Sequence, residues 1–151
     1  MQPAPRVSFD KTRSAGYLVN HMARLFAQGL HARIRPLGLA PAQFMTLLEL
    51  WAEDGLTQTQ LVARLDVEQA TMANTLKRME RDGLVERRPH PQDRRAQQVW
   101  LSDKGRALEG PATQAAAAQN EAALAPLSPQ ERGQLLDLSR RLIAAMKGGG
   151  G

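Results

Sequence analysis

A chain of 151 residues with no cysteine and a formal charge of +5 has the length of one domain with appended segments and no means of forming disulfides, thiolate metal sites or thiol redox sensors. No apolar run approaches the roughly 20 residues of a membrane span and no signal-peptide core stands out near Met1, so a cytoplasmic protein without membrane contact is expected. The basic balance suits a polyanionic partner, although many basic proteins bind nothing acidic.

Residues 1–9, with Pro3 and Pro5, read as a loose arm. From Asp10 to about Arg35, Tyr17, Leu18, Met22, Leu25, Phe26 and Leu30 recur at helical spacing, and Pro36 and Gly38 end that helix. Pro41 suits a first helical position, and Phe44, Leu47, Leu48 and Trp51 carry one face up to Gly55. Thr57-Gln58-Thr59-Gln60 has the form of a capping box and opens a short helix with Leu61, Val62 and Leu65. After Asp66 and Val67 another helix runs to about Asp82, with Gly83 suited to the position just past its end. Leu84 and Val85 begin a strand, and Val99 and Leu101 lie two apart on one face of the next. Pro89 and Pro91, between them, are not expected to continue the ladder. Ser102 caps one long helix, Ala-rich at 115–118, 122 and 123, which Pro126 stops. A second capping box, Ser128-Pro129-Gln130-Glu131, launches a helix with Leu135, Leu138, Leu142 and Ile143. The glycine run at 148–151 reads as a flexible tail. The expected fold is mainly α with a small two-stranded β-ribbon.

Charge is concentrated on one piece. Lys77 to Arg106 holds nine Lys and Arg (77, 78, 81, 87, 88, 94, 95, 104, 106) against five acids, whereas Pro36 to Glu68 holds one Arg against five. Residues 57–82 make a helix-turn-helix. In its second helix Met72, Leu76 and Met79 fall at i, i+4 and i+7 and are expected in the core. Thr71, Asn74, Thr75 and Arg78 share a separate polar stripe, flanked by Gln69 and Lys77. Such side chains can read the major groove, Asn pairing with adenine and Arg with guanine. The ribbon that follows has a cationic tip, with Arg87, Arg88, His90, Arg94 and Arg95 around its two prolines, and suits a phosphate backbone and a groove better than a catalytic pocket. Glu68 and Asp66 complement the dipole of the helix they precede.

The three histidines, His21, His31 and His90, are scattered and lack the paired spacing of metal ligands. No nucleophile elbow, catalytic triad order or glycine-rich phosphate loop is present. Neither an enzyme nor a bound cofactor or metal is expected.

With these features in place the chain resembles the MarR family of transcriptional regulators over roughly residues 10 to 147. The specific portion is Arg78, Gly83, Leu84, Val85 and Arg87, then Asp93-Arg94-Arg95, then Val99, Leu101, Ser102 and Gly105. LGLAPAQFMTLLEL, Leu37–Leu50, also resembles the family's second helix. The resemblance implies a homodimer whose first and last helices (10–35 and 102–147) interlock, carrying two winged helix-turn-helix domains (36–101) onto a palindromic operator in double-stranded DNA. It further implies that Asp93 orients the Arg95 guanidinium for the minor groove, where a narrow A·T-rich tract favours an inserted cation. Arg87, Arg88 and Arg94 would meet phosphates or brace the wing. Many members are released by small aromatic or lipophilic ligands; by analogy His21, Arg24, Phe44 and Trp51 would line such a site, though each could equally be core or dimer interface. Ala40 and Glu68 stand where the family has better N-caps, so both helix starts should be weaker. Trp100 occupies a strand position that is often polar and has no account at this level. A dimeric repressor is the expected function; the alternative is a helical dimeric protein-interaction module without specific DNA reading, which a wing lacking Arg94 and Arg95 would have favoured.

Overall fold

The structure is a computed structural model that describes residues 1–148. The tail expected at 148–151 therefore lies, beyond Gly148, outside the described residues. The chain divides into two units, Met1–Ala116 and Ala117–Gly151.

In the first unit the helix expected from Asp10 is split. The Asp10 carboxylate accepts the Thr12 amide N–H at 3.0 Å and its hydroxyl at 2.7 Å, closing a single 3-10 turn over Lys11–Arg13. Ser14, whose hydroxyl accepts the Tyr17 N–H at 3.2 Å, then caps α1, Ala15–Ile34. Pro41 opens α2, Pro41–Ala52. Ala40 offers no side-chain cap, and the reverse half of a capping box substitutes: Gln43 Oε1 accepts the Ala40 N–H at 3.1 Å. The capping box at Thr57 forms as expected, with Gln60 Oε1 accepting the Thr57 N–H at 2.8 Å and Thr57 Oγ1 accepting the Gln60 N–H at 3.2 Å. It starts α3, Gln58–Leu65, which leads through a left-handed Asp66 and Val67 into α4, Gln69–Arg81. Glu68 makes no side-chain cap there. Gly83, at φ 72°, turns the chain so that the Leu84 N–H returns to Met79 O at 2.9 Å, the closure that favours glycine at this point.

The ribbon has a third strand that the periodicity did not indicate. Leu56–Thr57 is β1, Val85–Pro89 is β2 and Gln97–Leu101 is β3, in the antiparallel order β1-β3-β2. A two-residue strand is too short to display alternation, and its pairing of Leu56 with Val99 is a tertiary event. Pro89 stays in the ladder opposite Gln97, contrary to expectation; β2 is an outer strand, where a missing N–H is tolerated. The single long helix expected after Ser102 is also two pieces, α5, Asp103–Ala107, and α6, Glu109–Leu124. Pro111 has no N–H to bond the Ala107 carbonyl, so the helix breaks at Leu108 and restarts with proline in its first turn.

The core joins α2, α3, α4 and the sheet through Phe44, Leu47, Leu50, Leu56, Leu61, Met72, Leu76, Met79, Val99 and Leu101, all buried. Each such burial stabilises the fold by about 1.5–3 kcal/mol. Leu48, expected beside Phe44 and Leu47, is 36% exposed. Tyr17, Leu18, Met22 and Leu25, the apolar face of α1, are exposed too, while Ile34 at its end is buried. In the second unit, Pro129–Gly148 is α7. Its capping box forms, with Glu131 Oε1 accepting the Ser128 N–H at 2.9 Å and that bond holding the Glu131 carboxyl below its ordinary range. Arg132 ties the turn, donating to Leu124 O at 3.1 Å and reaching Glu121 at 3.1 Å. Leu138, Leu142, Ile143 and Met146 of α7 are exposed.

Candidate nucleic-acid interface

The exposed side of α4 carries Thr71, Asn74, Lys77 and Arg78. Thr75, expected among them, is 9% exposed, and its hydroxyl donates to the Thr71 carbonyl at 2.9 Å. The helical angle explains the correction. At about 100° per residue, Thr75 lies roughly 60° from Met72 and so within the buried arc, whereas Thr71, Arg78 and Asn74 lie about 100°, 120° and 160° away. Gln69 faces solvent at the start of α4, but Gln58 donates to its side-chain oxygen at 3.2 Å, linking the first turns of α3 and α4.

The wing is built by side chains that mostly do not reach its tip. Arg87 is hydrogen-bonded to Glu80, which pins β2 to α4. The Arg88 guanidinium stacks 5.2 Å from the Trp100 ring and lies 3.6 Å from Glu86. Trp100 in turn covers Gly55: a Cβ added there would stand 2.6 Å from the indole, and Gly55 sits at φ 76°. The indole N–H donates to Gln98 at 3.3 Å. The residue without a role in the sequence is thus a platform between the turn before β1 and the wing arginine.

Asp54 clasps the same region from below, its carboxylate accepting the Leu101 N–H at 2.9 Å and the Gly55 N–H at 3.0 Å.

At the tip, His90 Nδ1 accepts the N–H groups of Gln92 and Asp93, each at 3.1 Å, while the His90 N–H closes the loop on Ala96 O. The imidazole is therefore a turn-former, a role its isolated position in the sequence did not signal. Asp93 acts differently from expectation: its Oδ1 accepts the backbone N–H of Arg95 at 2.9 Å. It orients the Arg95 backbone and leaves the guanidinium free. Arg94 and Arg95 are both exposed, and among the described residues no carboxylate lies within ion-pairing distance of either. Between this tip and the start of α3 lies a cleft of about 520 Å³ lined by Thr57, Gln58, Thr59, Arg87, Arg94 and Arg95. Thr57, the N-cap of α3, and Gln58 and Thr59 in its first turn were not expected at the interface; in the sequence they are legible only as a helix cap.

Asp82 fixes the other end of α4. Its carboxyl is held below the ordinary range first by the Gln43 side-chain N–H at 2.9 Å and then by Arg81, against a partial loss of hydration. The residues considered for a small ligand are only partly brought together. Phe44 and Trp51 pack edge to face at 6.0 Å, Phe44 is 3% exposed, and the Trp51 N–H is engaged by Gly105 O at 2.9 Å. His21 and Arg24 stand exposed on α1, His21 against Tyr17.

Comparison with known proteins agrees with this geometry. The MarR family model matches residues 39–96, from the start of α2 through the wing turn. The TtmR regulator of Methylorubrum extorquens is 33% identical over 62% of this chain, which spans only 48% of that relative. The transcriptional repressor NicR of Pseudomonas putida is 28% identical over 93% of this chain and 89% of its own. A crystal structure of a probable transcriptional regulator from Pseudomonas aeruginosa superposes with a TM-score of 0.82 at 32% identity, covering 88% of this chain and 99% of that one.

Proposed function

The chain belongs to the MarR family, whose members are transcriptional regulators and not enzymes, and from that premise we propose that it is a dimeric, cytoplasmic repressor that binds a palindromic operator. The observation that carries this reading is the exposed row Thr71, Asn74 and Arg78 on α4 beside two uncompensated arginines at the wing tip. The row has the reach and hydrogen-bonding capacity for base edges in a major groove. Arg94 and Arg95, mounted on a braced ribbon, have the charge for a phosphate backbone or the floor of a narrow minor groove. In this reading Lys77 lies along the backbone, Gln69 stays at the helix entry, and Arg87 and Arg88 hold the wing in position.

Dimerisation is supported by two separate faces. α1 exposes Leu18, Val19, Met22 and Leu25, each between 41% and 54%, and α7 exposes Leu138, Leu142, Ile143 and Met146, each between 52% and 70%. Exposed apolar surface of this kind marks an interface. Residues 10–35 and 102–147 then serve the dimer and 36–101 the DNA. Repression is proposed by analogy with NicR, a transcriptional repressor. A small aromatic or lipophilic effector rests on the family resemblance, with Phe44 and Trp51 as the wall against which it would bind.

The test is selection of operators from a random duplex pool by the purified protein, with light scattering on the same sample. An inverted repeat with half-sites about one helical turn apart, bound by a dimer, is the expected result. A monomer at micromolar concentration, or enrichment of one asymmetric half-site, would refute the dimeric mode. Transcription in vitro from the selected operator decides the sign of regulation.

A further inference from the structure

A second cationic cleft, of about 410 Å³, lies on the first unit where the end of α1 meets α4. His31 and Arg35 come from the last turn of α1 and the 3-10 turn Arg35–Leu37 that follows; Arg78 and Arg81 come from α4. The one carboxylate that lines it, Asp82, is committed to Gln43 and Arg81. Arg35 and Arg78 are exposed, and among the described residues neither has a carboxylate within ion-pairing distance. A cation at the end of α1 complements that helix's dipole. The dipole does not account for a second arginine, Arg78, lining the same cleft from another helix, and two guanidiniums on one cleft without a paired carboxylate suit an anionic ligand.

We infer that this cleft holds a phosphodiester of the operator backbone, clamped between Arg35 and Arg78 with His31 at its rim. This rests on the operator-binding reading above and reassigns two residues within it. Arg78 lies one helical turn beyond Asn74 on the exposed side of α4, so the cleft opens onto the side that faces DNA in that reading. A helix in a major groove about 12 Å wide has a phosphate strand along each wall, and the arginine nearest the α1 end meets that wall. Arg78 therefore positions the protein and does not read guanine. Arg35, in the 3-10 turn that follows a helix assigned to the dimer, becomes part of the DNA interface. A guanidinium pair suits the clamp because its planar forks can each offer two N–H donors to phosphate oxygens.

The experiment titrates the full-length protein and its Arg35→Ala, Arg35→Lys, Arg78→Ala and Asn74→Ala variants against the selected operator across a salt series. The same titrations are repeated on every single-base substitution of that operator. Arg35→Ala and Arg78→Ala should each flatten the log–log salt slope by about 0.9, equivalent to about an eightfold loss of affinity at 0.1 M salt, with base preference unchanged at every position. Arg35→Lys should restore the slope but not the full affinity. Asn74→Ala should change preference at particular base pairs and leave the slope alone. A wild-type slope for Arg35→Ala, or a base-specific defect for Arg78→Ala, overturns the clamp while operator binding stands. Failure of the wild-type protein to select any operator overturns both. Isothermal titration of the DNA-free protein with inorganic phosphate and with benzoate separates the anion's source. Saturable binding abolished by Arg35→Ala, with operator affinity intact, would make the cleft a small-anion site and overturn the assignment to DNA.

Discussion

Gly55→Ala tests how the wing is held. The substitution forces a side chain into a position at φ 76° with a Cβ 2.6 Å from Trp100. The left-handed conformation costs an alanine about 1–2 kcal/mol. The indole must also swing away, losing its hydrogen bond to Gln98, worth about 0.5–1.5 kcal/mol, and the Arg88 stack, worth about 0.5–1 kcal/mol at an exposed site. Reduced freedom of the unfolded chain returns about 0.4–1 kcal/mol. The net loss should be about 2–3 kcal/mol, or a fall in Tm of roughly 8 °C for a unit of this size. Thermal denaturation followed by circular dichroism reads it, and a double-mutant cycle with Trp100→Phe isolates the cause. The smaller ring leaves room for the methyl group, so the double variant should lose at least about 1 kcal/mol less than the sum of the singles. Operator affinity of Gly55→Ala, measured well below its Tm, should fall as Arg88 loses its platform. A cost under about 1 kcal/mol, or strictly additive single costs, would falsify the platform role of Trp100.

Arg95→Ala should weaken operator binding broadly, most at A·T-rich flanks, because the inserted cation reads groove width and potential; equal affinity on both kinds of flank contradicts that. At His90, Asn retains an acceptor for the two turn amides while Leu does not. Binding should therefore survive His90→Asn and drop several-fold in His90→Leu, each lost bond being worth about 0.5–1.5 kcal/mol, and equal binding by the two removes the histidine from the wing's construction. Asp82 has a folded pKa below its unfolded one, through Gln43 first and Arg81 next. Its contribution is therefore fully present above about pH 4 and is lost as pH falls through the lower folded value. Urea denaturation between pH 5 and pH 2 should show a shallower decline for Asp82→Asn than for wild type, and parallel curves would mean that the Gln43 bond carries no linkage.

Local rules reached much of this protein. The capping boxes at Thr57 and Ser128, the glycine stop at Gly83, the buried Met72, Leu76 and Met79 of α4 and the arginine-tipped turn all depend on residues within one helical turn or one hairpin of each other. Spacing along the chain is then enough, and the family signature lies in the same stretch. Features that join distant residues had to wait for the tertiary structure. β1 exists because Leu56 meets Val99, and two residues carry no periodicity of their own. The hydroxyl of Thr75 is withdrawn from the reading face by an angular difference of about 40° from Thr71, finer than a stripe drawn on i, i+3 and i+4. Asp93 caps the Arg95 backbone where its guanidinium was expected, and His90 gathers two amides, because a seven-residue turn has several ways to satisfy its N–H groups and only packing selects one. Trp100 gained its meaning from Gly55, 45 positions away, and Arg35 from Arg78 across a cleft between two helices. Composition dictates how many charges a chain has, but where they converge without partners is decided when helices distant in sequence are brought side by side.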